Sequence, residues 1–267
     1  MSATTETGDG AGPENGTALA AEAAAMFGTA LPQADRYAAL LTGAGAELGI
    51  VGPAEAARIW DRHLLNCGVI ARLIPAACSV VDLGSGAGLP GIVLAMLRPE
   101  CRVTLLEPMA RRAGFLQECV AELGLTNAEV VRGRAEEFAG KLSADVVTAR
   151  AVAPLEKLAV LAAGLARPGG RVLAMKGVAA AAELARARPV LARLGIGDAR
   201  VVTVASASGA ITATLVAFTT NASRSVGLPP AAGRRAQLPG PDAVRGGRGP
   251  DAGSRRQSRP NSRRGGG

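Results

Sequence analysis

Aromatic residues are scarce in this chain: one Trp, one Tyr and four Phe make up 2% of its 267 residues. Its core must therefore rest on Ala, Val and Leu, and a module that stacks RNA bases on rows of aromatic rings is excluded. Histidine occurs once, as His63, and lysine three times against 27 arginines. The four cysteines, Cys67, Cys78, Cys101 and Cys119, form no CxxC pair. Their spacing gives neither a zinc site nor a disulfide framework, so reduced, buried thiols and no bound metal are expected. No apolar run reaches the ~18 residues of a membrane span. Met1–Glu14 is acidic and polar, without the basic-then-apolar layout of a signal peptide. A soluble cytoplasmic protein with no membrane partner, acting as a monomer, is expected.

A net charge of +8 invites a nucleic-acid reading, but its distribution withdraws that inference. Ten arginines and two aspartates fall between Arg224 and Gly267, which accounts for the whole of the +8. The rest of the chain is electrically balanced, so the overall charge describes the tail and not the folded part.

What is present is an alternation. Between Met26 and about Pro75, apolar residues recur at three-to-four spacing, interrupted by Gly43, Gly45, Gly49 and the Gly52–Pro53 turn, which predicts helices. Beyond Pro75, short β-branched runs predict strands at Ser79–Leu83, Val103–Glu107, Ala128–Val131, Asp145–Ala149 and Arg171–Met175. Amphipathic stretches between them predict helices at Pro90–Leu97, Ala110–Leu123, Leu155–Ala166 and Ala179–Leu194. Such alternation makes a parallel sheet covered by helices on both faces. Two last runs, Arg200–Ala205 and Ile211–Phe218, have no helix between them and must form an antiparallel hairpin, because a parallel crossover needs a dozen or more residues. The chain thus divides into a flexible acidic arm (1–25), a helical subdomain (26–75), an α/β domain (76–220) and a tail of Gly, Pro, Ser and Arg (221–267). The tail cannot bury enough apolar surface to order itself.

The segment VVDLGSGAGLPG, Val80–Gly91, carries the most chemistry. A buried strand ends in Asp82, Gly84, Gly86 and Gly88 follow, and Pro90 stands at a helix start. Glycines permit positive φ and close approach of a ligand, and a strand–loop–helix of this kind offers backbone amides to an anion. The ligand of an open parallel sheet lies at the carboxyl end of this strand. Gly86, Gly88 and Gly91 also satisfy G-x-G-x-x-G, which keeps a dinucleotide and an NAD-dependent oxidoreductase as a rival reading. Glu107, at the end of the second strand, can hold ribose hydroxyls for either ligand. Asp82 repels a pyrophosphate but suits an ammonium group. With the closing hairpin, this favours a class-I S-adenosylmethionine fold. Its sheet is Rossmann-like and mostly parallel, with seven strands and an antiparallel last one.

The runs DLGSGAGLPGIVLAMLRPE, LLEPMARRAGFLQ, RGRAEEF, ARAVAPL and AMKG, with RIWDRHLLN before them, resemble the small-subunit ribosomal RNA methyltransferase G family, also called glucose-inhibited division protein B. The resemblance covers roughly 40–204. It implies S-adenosyl-L-methionine as methyl donor and 16S ribosomal RNA, or a small-subunit precursor particle, as partner, with methylation at N7 of one guanine (position 527, in the 530 loop). It places Gly84 and Leu89 on the cofactor, Ala135 and Glu136 around the adenine, and Arg150 at the reaction centre.

Guanine N7 has a lone pair and no proton at neutral pH, so no general base is needed. That agrees with a chain holding a single His and no NPPY-like sequence after its fourth strand. Arg150 would then grip guanine O6 or a phosphate, since Arg reads acceptor edges bidentately and cannot serve as a base. At α-helical spacing Ile59, Trp60 and Leu64 share an apolar face, leaving Arg58 and Arg62, with His63 beside them, outward; Arg62 and His63 are candidates for RNA phosphate, and for His63 a structural or surface role stands beside that one. Lys176, ending the fifth strand, is placed between substrate contact and ion pairing. Arg111 and Arg112 open a helix, where cations are electrostatically disfavoured; a solvated helix face is the first account of them and an anionic partner the second. A third reading, a noncatalytic RNA-binding protein, rests on the tail arginines alone.

Overall fold

A computed structural model describes residues 13–221. The arginine-rich tail expected to be disordered, and the first twelve residues of the arm, lie outside the described residues. Pro13–Phe27, most of which was assigned to a flexible arm, is helix α1. Its alanine-rich text has high helix propensity, and Ala23 and Phe27 bury themselves in the core. Helices α2 (Leu31–Thr42), α3 (Ala44–Glu47) and α4 (Pro53–Ala56) follow. A π-helical segment, Ile59–Leu65, leads into α5 (Asn66–Gly68).

Among the described residues seven strands form: β1 Ser79–Leu83, β2 Arg102–Glu107, β3 Ala128–Arg132, β4 Ala144–Arg150, β5 Ala166–Met175, β6 Arg200–Ala205 and β7 Thr212–Thr219. They lie in one sheet in the order β3-β2-β1-β4-β5-β7-β6. The first five are parallel, and β7 runs antiparallel to both β5 and β6, so β6 points the same way as the first five. The helices between strands are α6 (Gly91–Leu97), α7 (Ala110–Glu122), α8 (Ala135–Phe138), α9 (Leu155–Leu165) and α10 (Ala180–Arg193). Pro90, expected inside the first turn of its helix, is the residue just before α6 and follows a cis Leu89–Pro90 bond.

Alternation along each central strand sorts its side chains between two cores. Val80, Val146 and Leu173 face the helices of 13–73 together with α6 and α7. Val81, Val147 and Val172 face α8, α9 and α10. The helices before β1 thus share a core with the sheet, where Tyr37, Leu41 and Leu64 are wholly buried beside Ile92 and Leu105. Phe27 and Trp60 meet edge-to-face with centroids 6.0 Å apart. The strand order reverses between β1 and β4, which opens a crevice at their carboxyl ends.

Candidate active site

The crevice is built first by the loop after β1. The Gly84 and Ser85 N–H groups both donate to the Leu106 carbonyl, at 2.9 and 3.1 Å, carrying the ladder past the end of the strand. Gly86 has φ +60°, and the nearest atom to a Cβ added there is the Gly84 oxygen at 3.8 Å. It therefore faces open space. Gly91 does the opposite: a Cβ would strike the Leu105 side chain and come within 2.7 Å of Asp82 Oδ2. Helix α6 starts there because only a glycine lets it press against β1 and β2. The Tyr37 hydroxyl, from α2, donates to the Ala87 carbonyl at 2.7 Å and pins the loop from behind. Nothing in the local sequence marks this contact, whose partners are 50 residues apart.

The two acidic residues hold the loop. Asp82 is fully buried. Its Oδ1 accepts from the Thr148 hydroxyl at 2.9 Å and its Oδ2 from the Gly91 N–H at 3.0 Å. Direct contact with a ligand ammonium group, expected for a carboxylate at the strand end, is not made from this position, because the side chain is wholly buried and braces the loop from inside the core. Burial raises its pKa to about 6, against the opposing pull of these hydrogen bonds. Glu107 accepts from the Gly86 N–H through Oε2 and from the Met109 N–H through Oε1, each at 2.9 Å. Each oxygen keeps a second lone pair for a further donor.

Arg150 ends β4. Its Nη1 lies 3.1 Å from Cys67 Sγ, and its Nη2 donates to the Arg62 carbonyl at 3.3 Å and to His63 Nδ1. His63 is buried, 8% exposed, and its Nε2 lies against the Glu55 carboxylate. The outward placement expected for His63 is corrected here, and of the roles left open to it the structural one agrees with its burial. His63 stands four residues after Ile59 and shares its buried face, as i,i+4 neighbours do, and the i→i+5 closure of the segment brings Leu64 to the same side. Arg62 stays exposed on the cleft side. Trp60, at the start of the same segment, is half-buried.

Two cavities meet at this arginine. The smaller, about 240 Å³, is lined by Glu55, His63, Gly84, Gly86, Leu89 and Arg112 among others. The larger, about 800 Å³, is lined by Arg58, Arg62, Asn66, Lys176, Glu183 and Arg186 among others. Arg150 and Ala151 belong to both. Ala151 holds φ +53°, a left-handed conformation uncommon for alanine. Lys176 resolves as an ion-paired residue: Nζ lies 2.9 Å from Glu183 Oε2 and also donates to the Ala153 carbonyl. Glu183 Oε2 in turn accepts the Leu155 N–H at 2.9 Å, tying α10 to the loop after Arg150. Ala135 and Glu136 stand apart from both cavities, Ala135 buried and Glu136 exposed on α8. Arg112 Nε is buried in the wall of the smaller cavity without a hydrogen-bond partner among the described residues.

A family profile described as rRNA small subunit methyltransferase G matches residues 30–211. A protein of Thermobifida fusca named ribosomal RNA small subunit methyltransferase G is 51% identical over 221 residues, covering 83% of this chain and 93% of that one. The protein of that name from Salinispora tropica is 53% identical over 186 residues, covering 67% of this chain and 77% of its own. Among solved structures, a predicted O-methyltransferase from Agrobacterium tumefaciens is 19% identical, with a TM-score of 0.46 over 58% of this chain and 80% of that one. The chain belongs to the rRNA small subunit methyltransferase G family.

Proposed function

We propose that this protein transfers the methyl group of S-adenosyl-L-methionine to N7 of a guanine in 16S ribosomal RNA, in the cytoplasm. One observation carries the reading: a small cavity under the glycine loop and a large basic-lined cleft share the wall formed by Arg150 and Ala151. A donor in the first and a nucleotide in the second would meet there. The smaller cavity has the features that such a donor needs. Open space at Gly86 admits a ligand against the backbone, and Glu107, buried behind the loop, holds the Gly86 N–H in place. The unpartnered Arg112 Nε supplies a donor for a carboxylate.

When bound, the donor supplies a methyl group whose bond to sulfur breaks as its bond to N7 forms, the positive charge passing from sulfonium to purine. No residue of the chain has to remove a proton beforehand, because N7 presents a lone pair. The contribution of the protein is alignment, which is worth roughly 7–11 kcal/mol when the reacting atoms are well oriented. Arg150 holds the acceptor edge or an adjacent phosphate from the shared wall. Arg62 and Arg58 line the cleft where RNA phosphates would run, and Lys176 braces the loop between them through Glu183.

Methyl transfer from tritiated donor to 16S rRNA fragments, followed by mapping of the labelled base, tests this. Label at a single guanine as 7-methylguanosine is expected, and label absent or on another base overturns the reading. Parallel calorimetry with NAD should register no binding.

A further inference from the structure

Arg150 is held in an unusual way for a half-buried cation. Among the described residues no carboxylate lies within ion-pair distance of its guanidinium. Three neutral acceptors hold it instead: Cys67 Sγ at 3.1 Å, the Arg62 carbonyl at 3.3 Å and His63 Nδ1. A carboxylate in the place of any of them would cancel the charge that an RNA phosphate or guanine O6 is meant to feel. The imidazole stands between the Glu55 carboxylate and the arginine.

The partners also fix the imidazole. A guanidinium only donates, so Nδ1 must present its lone pair, and the ring proton sits on Nε2, beside the Glu55 carboxylate but outside hydrogen-bond geometry. We propose that His63 is a positioning residue for methyl transfer: as the neutral Nε2–H tautomer it holds the Arg150 guanidinium, through Nδ1, on the wall shared by the two cavities. The proposal rests on the function given above. His63, the only histidine of the chain, lies in the π-helical turn over Ile59–Leu65. Such insertions in helices recur at functional sites.

The charged groups around the ring are Glu55 from α4, Arg62 from its own segment, Arg150 from β4 and Arg112 across the smaller cavity from α7. Burial first and the charge of Arg150 second push its pKa below the ordinary 6.5, with Glu55 pulling the other way. At neutral pH the ring is therefore uncharged and able to accept. A proton on Nδ1 would set donor against donor and cation against cation, and Arg150 would leave its place.

The test compares wild type with His63→Leu, which removes the acceptor, and His63→Asn, whose amide oxygen can replace Nδ1. Wild type is assayed first on an rRNA fragment; if it transfers no methyl, the assigned reaction has failed and not this role. If it does, His63→Leu should lose on the order of tenfold to a hundredfold in kcat. Its affinity for S-adenosylmethionine by calorimetry should change less than threefold. His63→Asn should regain most of that kcat, and the acid limb of the wild-type kcat profile below about pH 6.5 should flatten in it. Asp82 is present in all three proteins, so whatever it adds to that limb is common to them. Wild-type kcat in His63→Leu overturns the proposal. So do equal losses in the Leu and Asn variants, or an acid limb unchanged by His63→Asn. If His63→Leu does not fold, the limb of the Asn variant decides by itself.

Discussion

Thr148 and Asp82 meet across the two central strands of the sheet, the hydroxyl of one donating at 2.9 Å to Oδ1 of the other in a site with no access to water. Burial holds the carboxyl at a pKa of about 6 in the folded chain, against 3.8 as its ordinary value. Between those two pH values the folded state keeps a proton that the unfolded state has released, so stability falls as pH rises through this window. About two pH units at 1.36 kcal/mol per unit amounts to about 3 kcal/mol. His63, with its lowered pKa, works in the opposite sense just below pH 6.5. Chemical denaturation of wild type and Asp82→Asn across pH 4–7 separates the two. The difference between the proteins should slope through the window, and parallel curves would rule the buried carboxylate out as its source.

Gly86 and Gly91 are expected to fail differently. At Gly91 an added Cβ collides with Leu105 and with Asp82 Oδ2, so Gly91→Ala should cost several kcal/mol of stability, on the order of other overpacked core sites. At Gly86 the space is open, and alanine pays only for positive φ, about 1 kcal/mol. Its methyl group, however, projects where the cofactor is proposed to lie. Gly86→Ala should melt near wild type and lose at least tenfold in calorimetric affinity for S-adenosylmethionine. Retained affinity would move the ligand elsewhere.

Lys176 and Glu183 are mostly buried, with side chains 7% and 15% exposed. Lys176→Ala leaves the Glu183 carboxylate without its counter-charge, which should destabilise the protein by about 3 kcal/mol. Replacing both by alanine should recover part of that loss, although the Leu155 N–H then loses its acceptor. A double-mutant cycle in urea measures the coupling. Strict additivity would show that the pair does not brace the loop.

Tyr37→Phe removes a single oxygen atom and with it the hydrogen bond to the Ala87 carbonyl. The expected loss is about 1 kcal/mol, a fall of roughly 2–4 °C in Tm. Because the carbonyl belongs to the glycine loop, cofactor affinity should fall with it. An unchanged affinity would mean that the loop keeps its shape without this support.

The sheet was largely legible in the sequence because its strands are short apolar runs that β-branched residues and flanking glycines set off locally. Ser79–Leu83 and Arg200–Ala205 fall where the pattern places them. The hairpin followed from chain length alone. What escaped depends on contacts far apart in sequence. Nothing near Asp82 states that Thr148 and Gly91 will enclose it, and nothing near Lys176 distinguishes Glu183 from solvent. The buried face of His63 is the one its four-residue spacing from Ile59 gives, but its contact with Arg150, 87 residues away, leaves no local mark. Ala23 was concealed by an alanine-rich stretch whose apolar residues show no clear period.

The partition formed by Arg150 and Ala151 belongs to two rooms at once, so neither can be remodelled privately. A small molecule lodged under the glycine loop and pressing on that guanidinium would disturb RNA docking as well as donor binding. Escape by substitution at the arginine would forfeit the grip on the nucleotide, which makes this shared partition a difficult place from which to evolve resistance.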